Sequence, residues 1–315
     1  MELRHLRYFI AVAEERHFTR AAERLGIGQP PLSLQIQQLE HEVGGALFHR
    51  LSRGVELTEA GAAFYEEARA ILEATARAKA RVERVTRGDQ GQIRVGFTGS
   101  ASFNMFVPFS LRRFKEHYPA VNLSLEESTT PRLNESISQG RLDVGFVRPP
   151  FPDSDVLAVA PLFEEEMLIA LPMAHPLAGN DVLTVAALAA ENFILYPRPV
   201  GPGLHDRIIT ACQRAGFSPR IGQEAPQLSS TVNLVAAGLG ISIVPASMNH
   251  VHADSVRYLP IAGEPVRAPL GLVYRKNERS AAIRNFVAAV RRAPRPDGTV
   301  PVPPAPAVAS AVDRA

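Results

Sequence analysis

The chain has a single cysteine, Cys212, among its 315 residues. That scarcity excludes an internal disulfide and any zinc or iron–sulfur centre built on a cysteine cluster. No stretch supplies the roughly 18 apolar residues that a membrane-spanning helix needs. The opening run MELRHLRYFIAVAEE is charged from its first residues and has too short an apolar core for a secretory signal. These absences predict a cytoplasmic protein without membrane association. Charge of one sign is also lacking. The net formal charge is +2, and residues 1–58 carry seven basic against seven acidic side chains. Any nucleic-acid role must therefore rest on geometry and local clusters.

Catalytic signatures are missing too. There is no GxSxG elbow and no HExxH, and no Walker A, since none of Lys79, Lys115 and Lys276 follows a glycine. GLGISI at 238–243 lacks the third glycine of a dinucleotide fingerprint and leads into a strand pattern. His250 and His252 form a lone HxH pair that reads as a surface feature. Cys212, with no resolving cysteine and no adjacent basic residue, reads as a packed helix position. Neither an enzyme, a metal site nor a cofactor is expected.

What is present begins with three helices. Leu3, Leu6, Phe9/Ile10 and Ala13 recur at three- and four-residue spacing, the mark of one buried helical stripe. HFTRAAERLG follows, with Thr19 placed to cap the helix and Gly26 to end it in a left-handed turn. The next helix, GQPPLSLQIQQLE, starts with prolines tolerated in a first turn. Leu32, Ile36, Leu39 and Val43 share one of its faces, while Pro30, Ser33, Leu34, Gln37 and His41 share the other. That second face is uncharged but rich in hydrogen-bonding groups, as reading base edges requires, and a leucine there can meet a thymine methyl. The bland alternative is a Gln-rich surface helix with one stray leucine.

LFHRLSRGVELT then alternates around SRG as a short hairpin, with Arg50 and Arg53 placed for phosphate or a minor groove. Together these elements predict a winged helix-turn-helix over 1–58. Thr58 opens a long helix over 59–88, roughly 45 Å long. In it Phe64, Ala68, Ile71, Thr75, Ala78, Val82 and Val85 keep a 4–3 spacing. That period predicts a coiled-coil seam, hence a dimer and a two-fold symmetric DNA site. The alternative is an amphipathic helix packed on its own chain.

From Gly91 strands alternate with helices, an α/β pattern with a largely parallel sheet. Two lobes are expected, one over about 91–162 and 266–292, the other over about 163–265, with a cleft between them. Three features mark that cleft. The first is the GSAS turn (Gly99, Ser100, Ala101, Ser102). The others are Thr130 at a helix start and Arg148 at a strand end, ready for a bidentate pair with a carboxylate. Gln227, opening a later helix, joins this set. A Pro- and Ala-rich tail over 294–315 is expected to be disordered. The two lobes alone would suit a transport-type solute-binding protein, but that leaves residues 1–88 unexplained.

The run from LRYFIAVAEERHFTRAAERL through GQPPLSLQIQQLEHEVGGALFHRLSRGVELTEAG resembles the DNA-binding end of LysR-type transcriptional regulators. GRLDVGFVR and LVAAGLGISIVPAS extend the resemblance into that family's periplasmic-binding-protein-like effector domain. The resemblance implies a dimer of dimers that binds double-stranded promoter DNA, answers to a small-molecule effector and recruits RNA polymerase as an activator. It further implies DNA contacts at Gln29, Pro30, Ser33 and Arg53, with Pro31, Leu34, Gln37 and Arg50 beside them. Within the family the chain looks most like regulators of aromatic catabolism that answer to muconates or benzoate-like acids, whose effector contacts match Ser100, Thr130 and Arg148. It departs from that branch at Gly203 and Leu204. Leu34 stands where many relatives carry arginine or another polar group.

Overall fold

The computed structural model describes residues 1–148 and 154–296. The expectation for the tail therefore lies outside the described residues from 297 onward. Contacts divide the chain into two compact units, Met1–Arg84 and Val85–Ala315.

In the first unit, helices α1 (Leu3–Glu15), α2 (Phe18–Leu25) and α3 (Gln29–Val43) are followed by strands β1 (Phe48–Arg50) and β2 (Val55–Leu57), then by α4 (Glu59–Arg87). Leu6, Phe9, Val12, Ala21, Ala22, Leu32, Ile36 and Leu39 are buried together. Leu3 and Val43, expected in these stripes, are exposed because each sits at the outer end of its helix, past the core. Gly26 ends α2 at φ 68°, but the cap at the other end is His17, whose Nδ1 accepts from the Thr19 N–H at 3.2 Å. Thr19 is therefore already inside the helix.

The wing is an antiparallel pair with Phe48 opposite Leu57 and Arg50 opposite Val55. Glu40 fastens it to α3, its Oε1 accepting from the N–H groups of Leu47 (2.8 Å) and Phe48 (3.2 Å). The Thr58 hydroxyl accepts from the Gly61 N–H at 2.8 Å and so caps α4. Gly61 lies against the wing so closely that a Cβ there would collide with the Leu47 carbonyl oxygen.

α4 revises the seam. Ala68 is fully buried within this unit, and the Phe64 ring lies 5.1 Å from that of Phe9. A heptad and a core stripe share their spacing, and here the first two positions belong to the core. Ile71, Ala78, Val82 and Val85 are exposed and Thr75 is half-buried, its hydroxyl donating to the Ile71 carbonyl.

In the second unit the first half runs β3 (Gln90–Phe97), α5 (Gly99–Ser102), α6 (Phe106–His117), β4 (Ala120–Glu127), α7 (Thr130–Ser138), β5 (Val144–Val147) and β6 (Leu157–Pro172). The second half runs β7 (Leu183–Thr184), β8 (Asn192–Leu195), α8 (Pro202–Arg214), β9 (Arg220–Glu224), α9 (Leu228–Ala236), β10 (Ser242–Pro245), β11 (Val256–Ala262), β12 (Arg267–Arg275) and α10 (Ala281–Arg292).

The main sheet has the order β4-β3-β5-β12-β6-β11-β7, with β10 also on β6. It is mixed. β3 runs parallel to β4 and β5, but β12 is antiparallel to β5 and β6, and β10 and β11 are antiparallel to β6. β6 is the element the two lobes share: its residues 157–166 pair with β12, and residues 167–172 with β10 and β11. The expected lobe boundary at 162/163 thus falls inside one continuous strand. Separate cores fill the lobes, one around Phe114, Phe146, Phe163 and Phe286, the other around Phe193, Ile208, Val232 and Ile243.

Candidate functional site

In the first unit the exposed face of α3 carries Gln29, Pro30, Pro31, Leu34, Gln37 and His41, with Ser33 half-buried. Leu34 is 55% exposed. The helix start is stiff, its prolines falling within the first turn behind Gly28. Each proline removes a backbone donor, so hydrogen bonding on this face falls to side chains. Gln35 and Gln38 are already engaged: Gln38 Oε1 accepts from Gln35 Nε2 at 2.7 Å, and Gln35 Oε1 lies 3.0 Å from His5 Nε2. The wing presents Arg50 and Arg53, both exposed, with the Arg50 guanidinium 5.6 Å from the centre of the Phe18 ring.

In the second unit a cavity of ≈ 240 Å³ opens between the lobes. Of the residues singled out from the sequence, Gly99, Ser100, Thr130, Arg148, Leu204 and Gln227 line it. Ala101, Ser102 and Gly203 do not. Ala101 turns into the first lobe's core, the Ser102 hydroxyl donates to the Gly99 carbonyl at 2.7 Å, and Gly203 lies beside a groove on the outer side of α8. Successive residues of a helix point about 100° apart, so neighbours of a lining residue face elsewhere.

Besides the four-residue α5, three longer helices begin at this cavity. Their N-cap residues, Thr129 for α7, Gly201 for α8 and Gln227 for α9, all line it, and none of the three is capped by a side chain. Each helix start therefore presents unpaired N–H groups and the positive end of its dipole toward one space. Sequence reasoning found Thr130 and Gln227 but missed the convergence, because only the fold brings residues 129, 201 and 227 together. It also missed Tyr196, which ends the β8 run.

Arg148 departs from its expected state. It is 3% exposed and already holds a carboxylate: Nη2 donates to Glu165 Oε1 at 2.6 Å. Nη2 also donates to the Ser100 carbonyl (3.2 Å) and Nη1 to that of Ala268 (3.1 Å). The other Glu165 oxygen accepts from the Ser247 N–H at 2.9 Å. This network joins Ser100 and β5 of the first lobe to Ser247 of the second. Arg148 borders the cavity with its charge matched.

Elsewhere, Asp143 is buried and accepts from Arg94 Nη2 (2.8 Å) and Arg275 Nη2 (3.2 Å). Burial alone would raise its carboxyl, but the hydrogen bonds from Arg94 and Arg275 outweigh that and hold it below the usual carboxylate value. Burial pushes the Cys212 thiol up to about 11, in keeping with a packed residue. His252 Nε2 lies 2.7 Å from Asn233 Oδ1, and among the described residues no three His, Cys, Asp or Glu side chains gather to hold a metal ion. No helix among the described residues is long and apolar enough to cross a membrane.

Residues 3–62 match the family model described as bacterial regulatory helix-turn-helix protein, lysR family, and residues 86–295 match the LysR substrate binding domain. The chain is 40% identical over 287 residues to the HTH-type transcriptional regulator BudR of Raoultella terrigena, covering 91% of this chain and 99% of BudR. It is also 40% identical over 294 residues to the Hca operon transcriptional activator HcaR of Escherichia coli (strain K12), covering 92% of this chain and 97% of HcaR. Among solved structures it is similar to CbnR, a LysR family transcriptional regulator, with a TM-score of 0.84 and 34% identity over 92% of this chain and 100% of CbnR. CbnR in complex with its target DNA gives a TM-score of 0.82, again at 34% identity, over 93% of this chain and 99% of that one. The chain belongs to the LysR family and is a DNA-binding transcriptional regulator with a winged helix-turn-helix and a two-lobed effector-binding domain.

Proposed function

We propose that this regulator reads a two-fold related promoter site through the exposed face of α3 and is switched by a small carboxylate held in the interlobe cavity. The observation that carries the effector reading is the convergence of three helix starts, none capped by a side chain, on one cavity. An anion there meets backbone N–H groups together with the hydroxyls of Ser100, Thr129 and Thr130. Arg148, already bound to Glu165, frames the site and leaves direct contact with the carboxylate to those groups. A volume of ≈ 240 Å³ suits a compact metabolite, since drug-sized ligands occupy roughly 300–1,000 Å³.

On the DNA side, Gln29, Ser33 and Gln37 read base edges, Leu34 meets apolar base surface, Pro30 and Pro31 fix the helix entry, and Arg50 and Arg53 hold the backbone. Ile71, Thr75, Ala78, Val82 and Val85 form the stripe through which two chains pair along α4, and two such dimers assemble on the DNA. Activation through RNA polymerase is favoured by the similarity to HcaR, named as an operon activator. An acid from the breakdown of aromatic compounds is the effector this reading prefers, given apolar lining from Tyr196, Val200, Leu204 and Leu228.

A gel shift on the intergenic DNA upstream of the protein's own gene tests the proposal. A specific retarded complex whose mobility or stability changes with an added acid is expected. Absence of specific retardation at moderate salt would sink it.

A further inference from the structure

Tyr196 follows directly on β8, and its side chain packs in the core of the second lobe while the residue lines the interlobe cavity. It is 5% exposed, and its phenolic oxygen is enclosed with no hydrogen-bond partner in the protein. Gly201, the N-cap of α8, lies close against this ring, since a Cβ there would stand 3.1 Å from Tyr196 Cε2. Buried hydroxyls are ordinarily paired, and leaving one unpaired is destabilising. A residue placed at a ligand cavity with an unmet polar group is the arrangement that rejects ligands lacking the matching atom.

The charges nearby specify what that atom is. Burial raises the phenol's pKa far above neutrality, so the group is a proton donor and needs an acceptor. The enclosed surroundings of the phenol hold no spare counter-charge for a second anion. Arg148 is matched by Glu165, and Asp206 acts on the phenol from the other sign; Arg132, the other cation of the lining, is exposed to solvent. One carboxylate is met by the helix starts; a second would be buried unpaired.

We infer that Tyr196 is the specificity-determining residue of this cavity, donating its hydroxyl to an uncharged second oxygen of the effector, which is a small monocarboxylate bearing a carbonyl or hydroxyl group. This rests on the anion reading of the cavity given above. Hydroxy- or oxo-acids are thereby selected over plain acids of the same skeleton and over dicarboxylates.

The test measures binding to the full chain by calorimetry and thermal shift, in wild type and Tyr196→Phe. The probes are valerate, levulinate and glutarate, which share five carbons, together with benzoate and para-hydroxybenzoate. Wild type is expected to bind levulinate or para-hydroxybenzoate roughly tenfold or more tightly than its plain counterpart. Tyr196→Phe should collapse that ratio to near one while leaving affinity for the plain acids intact. The ligand-free variant should melt no lower than wild type, because the lost hydroxyl had no partner. An unchanged ratio, a lower ligand-free melting temperature, or tightest binding of glutarate would each overturn the inference and leave the anion reading standing. Binding of none of these acids to wild type would overturn both.

Discussion

Replacing Arg148 by methionine separates two views of the interlobe cavity. Methionine fills much of the volume, so the change removes charge and donors without opening a large cavity. Glu165, 4% exposed, would keep its carboxylate with only the Ser247 N–H to answer it, and the carbonyls of Ser100 and Ala268 would lose their donor. Removing one partner of a buried ion pair costs about 3–5 kcal/mol. At about 2–4 °C per kcal/mol for a unit of this size, the second unit should melt about 6–20 °C lower. Circular dichroism of the full chain reads this directly. Adding Glu165→Gln keeps an acceptor for Ser247 but removes the stranded charge, so the double variant should recover at least about 1 kcal/mol relative to Arg148→Met alone. Were Arg148 instead held free for the effector, Arg148→Met would change stability by less than about 0.5 kcal/mol, as surface changes do, while abolishing ligand response. That pattern would refute the reasoning.

Three further outcomes are expected. Gln29→Ala and Ser33→Ala should each cost about 1–3 kcal/mol of DNA binding and relax preference at particular bases, whereas Arg53→Ala should weaken all sequences evenly and flatten the salt dependence; quantitative binding to a panel of site variants distinguishes them. Leu34→Arg should tighten DNA binding and steepen its salt dependence, since the 55% exposed side chain lies on the face proposed to read DNA; gel shifts across a salt series would show no change if residue 34 never faces the duplex. Asp143 has a depressed carboxyl pKa in the folded state, so it adds stability that is present above its unfolded value and lost as pH falls through the folded one. The gap between acid melting curves of wild type and Asp143→Asn should therefore begin to narrow only below about pH 4 and close as pH falls through the lower folded value, and a gap that stays constant over that descent would contradict the assignment.

Much of the fold is written in local pattern. The inward stripe of α3, the wing around SRG and the cap at Thr58 follow from periodicity, turn chemistry and capping, all of which act within a few residues. What escaped needed distant partners. Phe64 and Ala68 satisfy a heptad and a core stripe equally, and only the position of Phe9 decides between them. Arg148 at a strand end reads as an open anion site until β6 brings Glu165 against it. The sheet's mixed direction likewise depends on β12 returning between β5 and β6, a pairing across more than a hundred residues that no local signal encodes. Tyr196 carries no motif; its meaning arises from burial without a partner.

The most direct test of the account is a DNase footprint of the full chain on its own upstream DNA, with and without an acid that raises its melting temperature. Two protected half-sites related by two-fold symmetry, whose extent or spacing changes when the acid is added, are the predicted result. Protection without symmetry, or a symmetric footprint that no cavity-binding acid alters, would contradict the coupling of α3 recognition to the interlobe cavity.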